Sequence, residues 1–321
     1  MELKASYSSA GVFPGKLLKM ADTCVDYDGT IRPVHVQLCP TNICNLNCPF
    51  CSCSEREKGQ ELALPDIEKA IDTFIGLGMK AVTMTGGGEP CCHPDITKII
   101  GYLYSMNVEI GLVSNGIPLS EVKDALHKVT WCRVSVSDFR AVDKLLASMA
   151  DIVPATGIDW AFSYVATSKF SIDKFSKVVE FANLHDFTHV RIVSDIMDLS
   201  GPPPMALVKS SLAASGIDDR IVIYQDRQEF TRGARDCRSG LLKPVLAPDG
   251  YLYVCCGCQY AIDGETGVFP DRLRMCHMSE IADYWKAQEP FNGLICDRCY
   301  YGNYNDSLGK MVQDYDHEVF V

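Results

Sequence analysis

From residue 34 to about 226, short apolar runs alternate with longer segments of helical period. VHVQL (34–38), AVTMT (81–85), EIGLVS (109–114), CRVSVS (132–137), WAFSYVA (160–166) and VRIVS (190–194) are rich in β-branched residues and read as strands. Between them, apolar positions recur every three or four residues. In PDIEKAIDTFIGLG they are Ile67, Ile71, Phe74 and Ile75. In PDITKIIGYL they are Ile96, Ile99, Ile100 and Leu103, and in SIDKFSKVVEFA they are Ile172, Phe175, Val179 and Ala182. Pro65 and Pro94 stand where a first helical turn is expected. This alternation predicts parallel strands covered by helices. Several strands are apolar on both faces, as strands buried under helices are. Period alone leaves a barrel-like sheet and a doubly wound sheet both open.

The alternation ends near GPPP (201–204), one more helix (MALVKSSLAASG) and a strand-like RIVIY (220–224). Residues 227–321 then hold seven cysteines and a hairpin, KPVLAPDGYLYVCC, with its turn at Pro248-Asp249-Gly250. The predicted division is an N-terminal extension (1–33), an α/β core (34–226) and a small cysteine-rich unit (227–321). A chain of 321 residues accommodates one large α/β domain and a smaller one.

The net charge of -11 argues against a protein that grips nucleic acid through its phosphates. No apolar run reaches the roughly 18 residues of a membrane span. The first residues carry no apolar segment of signal-peptide length, so a cytoplasmic setting is expected. In a reducing compartment, 16 cysteines are better explained as metal ligands or catalytic groups than as disulfides. Isolated ones such as Cys24, Cys39 and Cys132 read as buried small hydrophobes.

Clustered cysteines need another account. CNLNCPFC places Cys44, Cys48 and Cys51 in the pattern C-x3-C-x2-C, directly after the first strand. In parallel α/β folds that strand end is where sites are built. Structural zinc takes four ligands, and so does a cluster that only carries electrons. Three thiolates leave a coordination position open.

PTNICNLNCPFC resembles the signature of the radical S-adenosylmethionine (SAM) superfamily. Two further motifs follow in the family's order. The second strand ends in TGGGEP (85–90), which resembles the GGEP motif, and the third in VSNG (113–116), a place of ribose contact. The resemblance covers roughly residues 34–226 and implies a partial (β/α)6 TIM-like barrel with a small C-terminal cysteine-rich α+β domain. It implies that Cys44, Cys48 and Cys51 hold a [4Fe-4S] cluster whose fourth iron binds SAM. A 5′-deoxyadenosyl radical, made by reductive cleavage of SAM, then abstracts hydrogen from a C–H bond. Phe50 would lie against the adenine. The backbone at Gly86, Gly87 and Gly88 would approach the methionyl group, since glycine permits close approach and positive φ. Glu89 would add negative charge or hold the loop. Ser114 and Asn115 would meet the ribose, or serve only as turn formers. Ser135 and Ser137 share one face of the fourth strand. They either touch SAM or are ordinary polar positions. Cys53, Cys91, Cys92 and His93 receive no role.

In the C-terminal region, Cys237 and Cys255 flank the hairpin, and Cys296 and Cys299 form a C-x2-C pair. Zinc or a [4Fe-4S] cluster would accept such a set. The layout resembles the twitch domain, a reduced SPASM module, and implies one auxiliary [4Fe-4S] cluster. Cys256, Cys258 and Cys276 remain open as substitute ligands.

By family analogy the expected reaction is oxidation of an alcohol carbon in a small polar metabolite (sugar, aminocyclitol or nucleoside), with the auxiliary cluster accepting an electron. The alternatives are a peptide-modifying maturase and a non-enzymatic metal-bound structural or sensing module. Tyr164, Thr167, Arg191 and Asp195 are candidate acid–base groups without assignment. A flavodoxin or ferredoxin is the expected electron donor. The acidic tail QDYDHEVF either docks over the site or is solvated.

Overall fold

The computed structural model describes residues 13–26, 28–227 and 229–313, so the acidic tail lies almost wholly outside the described residues. Seven parallel strands follow one another across a single sheet. They are β1 (His35–Leu38), β2 (Ala81–Met84), β3 (Glu109–Ser114), β4 (Trp131–Ser137), β5 (Asp159–Ala166), β6 (His189–Ser194) and β7 (Val222–Gln225). Three short strands extend the other side of β1. They are β8 (Val245–Leu246), β9 (Tyr251–Tyr253) and β10 (Arg274–His277), in the overall order β10-β9-β8-β1-β2-β3-β4-β5-β6-β7. β8 runs parallel to β1, while β9 and β10 turn back antiparallel. The sheet does not close. It is the parallel α/β sheet that the alternating pattern predicts, in the open, partial-barrel form that the family resemblance implies.

Helices Leu64–Gly76, Ile96–Ser105, Val142–Ile152 and Ile172–Leu184 cover one face. Their periodic apolar residues make the core, with Phe74, Ile99 and Phe175 fully buried against strand residues such as Val36, Leu112 and Phe162. Pro65 lies in the first turn of its helix. Pro94 falls just outside its helix, which begins at Ile96, and the Asp95 N–H is taken by His93 Nδ1 at 3.1 Å. A smaller core of Val245, Tyr253, Val254, Cys258, Ile262 and Leu273 lies under the C-terminal cysteines and includes Cys39 from the end of β1.

The opposite face of the strands is polar. Along β4, Cys132, Val134 and Val136 are buried toward the helices while Trp131, Arg133 and Ser135 are only half-buried. Gly111 makes room for the Trp131 indole, because a Cβ there would lie 2.1 Å from it. The period of two therefore divides each strand between an apolar helix side and a polar concave side.

Candidate cluster and substrate site

The cysteine loop leaves β1 and is held by its own neighbours. Arg56 ties it twice, donating to the Asn42 carbonyl at 2.8 Å and the Cys53 carbonyl at 2.6 Å. Cys44, Cys48 and Cys51 are all half-buried. The Leu46 N–H points at Cys44 Sγ and the Cys53 N–H at Cys51 Sγ, each at 3.4 Å. Hydrogen bonding from Cys53, aided by Arg56, lowers the Cys51 thiol to about 6 against the opposing effect of burial. Burial instead raises Cys44 and Cys48. Among the described residues, no three His, Cys, Asp or Glu side chains converge to hold a single metal ion. Three soft sulfurs with N–H groups aimed at two of them are a donor set for an iron–sulfur cluster.

The glycine run presses against this loop. The Gly88 N–H donates to the Thr41 carbonyl at 2.8 Å and the Glu89 N–H to the Ile43 carbonyl at 2.9 Å. A Cβ on Gly88 would lie 2.0 Å from the Ile43 oxygen, and one on Gly87 would lie 1.7 Å from Asn42 Oδ1. None of Gly86, Gly87 and Gly88 has positive φ. Close approach is thus the reason for glycine here, and the expectation of positive φ is corrected. Glu89 is buried and accepts the Asn115 N–H at 2.7 Å and the Cys91 N–H at 3.3 Å. It links the ends of β2 and β3, and burial raises its pKa. Asn115 also donates from Nδ2 to Asn45 Oδ1 at 2.6 Å, so it meets the cysteine loop directly. The Ser114 hydroxyl accepts the Gly116 N–H at 3.0 Å and turns the chain. Phe50 stacks on Phe139 from the loop after β4, with ring centroids 6.1 Å apart. Ser135 lies on the concave face, where its carbonyl accepts from Arg140 at 3.3 Å. The Ser137 hydroxyl is buried without a partner.

Deeper in the concave face is a group of cations. Arg191 on β6 donates to Ser163 Oγ at 2.8 Å, and its Nε is buried without a partner. Burial holds Arg191 well below the usual arginine range, with Arg133 and Arg227 adding to the effect. Burial also lowers Lys243, which feels Arg133 and Arg191. His189, buried beside the same two arginines, falls to about 3, and desolvation, with Lys243 and Lys16 nearby, drops half-buried His35 well below its ordinary value. No carboxylate is among the strongest influences on Arg191, Lys243 or Arg227. Of this group, only Arg191 was named from the sequence. Alternation would have placed Arg133 beside Ser135 and His189 beside Arg191. Nothing in the sequence signals that Arg227 and Lys243, from loops, join them.

The four C-terminal cysteines named from the sequence line one cavity. Cys237, Cys255, Cys296 and Cys299 share it with Tyr260, Phe291 and Tyr301. Backbone pairs assemble it. Cys237 and Phe291 exchange both N–H···O bonds at 2.9 Å, and Thr231 and Cys299 do the same at 3.0 and 2.8 Å. Gly233 allows the approach, since a Cβ there would lie 2.0 Å from the Gly293 oxygen. The Gly257 N–H reaches Cys255 Sγ at 3.3 Å and the Tyr301 N–H reaches Cys299 Sγ at 3.4 Å. Cys256, Cys258 and Cys276 do not line this cavity.

The other candidates have structural partners. His93 is buried between the Leu62 carbonyl and the Asp95 N–H. Tyr164 turns toward the helices, packing on Phe175 and donating to Asp138 Oδ1 at 2.5 Å. Thr167 also reaches Asp138, at 3.4 Å, and Asp195 accepts the Met197 N–H at 2.8 Å.

Residues 38–140 match the radical SAM superfamily. The chain carries the core of a radical SAM enzyme. A [4Fe-4S] cluster and SAM are the cofactors of that core, and an auxiliary cluster fits the C-terminal cysteines. The chain is 25% identical over 213 residues to GTP 3′,8-cyclase 1 of Mycobacterium tuberculosis, covering 59% of this chain and 57% of the relative. It is 34% identical over 118 residues to GTP 3′,8-cyclase of Aquifex aeolicus, covering 34% and 37%. The chain thus spans about half the length, or less, of the curated relatives it matches. Among solved structures, Streptococcus suis SuiB bound to S-adenosylmethionine superposes with a TM-score of 0.58 at 14% identity, covering 88% of this chain and 76% of that one. That likeness is one of fold.

The names of the sequence relatives overturn the expected oxidation of an alcohol in a sugar, aminocyclitol or nucleoside. The side chains agree with the correction. Tyr164, Thr167 and Asp195 are engaged in structural hydrogen bonds, and Arg191 belongs to the cation group. The peptide-modifying and non-enzymatic alternatives gain nothing from these names. Among the described residues, no helix is long and apolar enough to cross a membrane.

Proposed function

We propose that this radical SAM enzyme acts on a purine nucleoside triphosphate, with GTP the first candidate. The observation that carries the reading is the half-buried cation group of Arg191, Lys243 and Arg227, together with Arg133. Charge of one sign partly withdrawn from water, which lowers Arg191 and Lys243 and has no carboxylate among its strongest neighbours, is costly unless a counter-ion arrives with the substrate. A triphosphate supplies that charge, and arginine forks suit its oxygens. The GTP cyclase relatives supply the nucleoside.

In this reading residues 34–226 form the radical core and residues 227–321 the auxiliary-cluster unit, after an extension of residues 1–33. Cys44, Cys48 and Cys51 would hold the first cluster, and Cys237, Cys255, Cys296 and Cys299 the second. When bound, the first cluster and SAM supply a 5′-deoxyadenosyl radical that removes hydrogen from the substrate. The chain's own residues position the reactants. Gly86, Gly87 and Gly88 keep the β2 loop against the cysteine loop, Glu89 locks β2 to β3, and Asn115 braces the cysteine loop. Phe50, Ser114 and Ser135 would border SAM. The cations orient the phosphates from the concave face. The setting is cytoplasmic, with a flavodoxin or ferredoxin as electron donor.

Anaerobic incubation of the cluster-loaded protein with SAM, a low-potential reductant and GTP tests the proposal. GTP consumption in step with 5′-deoxyadenosine release is the expected result. SAM cleavage that neither GTP nor ATP accelerates would refute a nucleotide substrate.

A further inference from the structure

One ring shapes the concave face at the start of β4. β3 and β4 pair in parallel, with Gly111 opposite Trp131 and Val113 opposite Arg133. The Trp131 indole leans across β3, so a Cβ on Gly111 would lie 2.1 Å from its Cζ2 and 2.4 Å from its Cε2. Glycine at 111 is the seat of the ring. The Arg133 guanidinium, two residues on and on the same face, stands 5.5 Å from the centre of a Trp131 ring. Both side chains are half-buried. Register sets their neighbours. Arg133, Ala161 and His189 form one row across β4, β5 and β6, and Ser135, Ser163 and Arg191 form the next. Arg191 is held in its row by Ser163 Oγ at 2.8 Å.

The two arginines therefore have neutral holders, an indole and a hydroxyl. A carboxylate grips an arginine by its N–H edge and cancels its charge. An aromatic ring attracts the cation through its face, which keeps the charge and leaves the N–H edge to other partners. Phosphate oxygens are taken by that edge. We infer that Trp131 is a positioning residue of the substrate site, which carries the Arg133 guanidinium so that its N–H edge meets the phosphates of the substrate. The inference rests on the proposal that a nucleoside triphosphate occupies the concave face. It also orients that substrate. Trp131 and Ser137 are the two ends of β4, about 20 Å apart. Phe139, just past Ser137, stacks on Phe50 of the cysteine loop. The phosphates lie toward the Trp131 end and the nucleoside toward the cysteine loop.

Calorimetric titration of the cluster-loaded protein with inorganic tripolyphosphate, and separately with SAM, tests the inference. Trp131→Leu should weaken tripolyphosphate binding roughly three- to thirtyfold, the range of a cation–π contact that is partly desolvated. SAM affinity should stay within about twofold of wild type. Trp131→Phe, which keeps a ring face, should recover most of the loss. In an Arg133→Met background, Trp131→Leu should have no further effect, because the ring acts through Arg133. Tripolyphosphate bound equally well by Trp131→Leu and wild type would overturn the inference and leave the nucleotide reading standing. An equal loss from Trp131→Leu with and without Arg133, or an equal loss of SAM affinity, would overturn it too, since the ring would then only support the fold. A wild type that binds neither tripolyphosphate nor GTP would overturn both readings. A measurement without substitution decides where a variant does not fold. The chain holds 3 tryptophans. In wild type labelled with 5-fluorotryptophan, the Trp131 fluorine resonance should move with tripolyphosphate while those of the buried Trp160 and Trp285 stay in place. An unmoved Trp131 resonance would overturn the inference.

Discussion

Replacing Gly88 by alanine puts the geometry of the site to a quantitative test. The added Cβ would lie 2.0 Å from the Ile43 oxygen and 2.6 Å from the Asn42 carbonyl carbon, both backbone atoms. Real Cβ contacts stop near 3.0 Å, so the two loops must separate by about 1 Å. That movement breaks the Gly88-to-Thr41 and Glu89-to-Ile43 hydrogen bonds, now 2.8 and 2.9 Å. Two such bonds contribute about 1 kcal/mol each, and the residual overpacking costs about 1 kcal/mol more. The expected loss is therefore about 3 kcal/mol, a fall in Tm of roughly 6–12 °C. The cysteine loop moves with its partner, so SAM affinity should fall as well. Thermal denaturation and SAM titration of the reconstituted protein measure both effects. Gly309→Ala is the control. It lies in helix Gly302–Met311 with nothing within 4 Å of its Cβ position, and should gain about 0.5–1 kcal/mol from helix propensity. A Gly88→Ala protein as stable as wild type, with unchanged SAM binding, would refute the close-approach account of the glycine run.

Three further outcomes are expected. Lys243→Met should raise the Tm of the ligand-free protein by removing a half-buried cation whose charge is penalised by desolvation, and weaken tripolyphosphate binding roughly ten- to hundredfold; calorimetry reads both signs. His189 has its pKa depressed from 6.5 to about 3, so its contribution to stability is full above pH 6.5 and is lost as the pH falls toward 3. Urea unfolding of His189→Gln between pH 7 and 4 should show a shallower acid slope than wild type. Glu89 has a raised pKa, so its protonated form favours the fold, and that contribution is lost as the pH rises from below 4.5 through the raised value. Glu89→Gln should flatten this part of the stability profile, although the loss of one carboxylate acceptor lowers stability overall, measured by the same unfolding curves.

Much of this molecule is written in local pattern. The apolar periods of Ile67-Ile71-Phe74 and Ile96-Ile99-Leu103 produce helices, and the β-branched runs produce strands, because one face of each must be buried. The motifs CNLNCPFC and TGGGEP mark where chemistry belongs, since crowded thiols and crowded glycines have few other uses. Other features depend on contacts between distant segments. Close packing against Thr41–Ile43, which no local rule foresees, is what makes Gly88 necessary. Tyr164 looks like a candidate acid from its strand position, but register turns it to the helix side. Arg133, Arg191, Arg227 and Lys243 are scattered along the sequence, and only the curvature and order of the sheet bring their charges together. The sequence by itself determined the element types and the close spacing of the thiols in the cysteine loop, because these depend on neighbours in the chain. Only the tertiary structure decided which cysteines share a cavity and where the buried charge accumulates. Electrostatic coupling and steric contact act through space, and the distances that govern them exist only after the chain has folded.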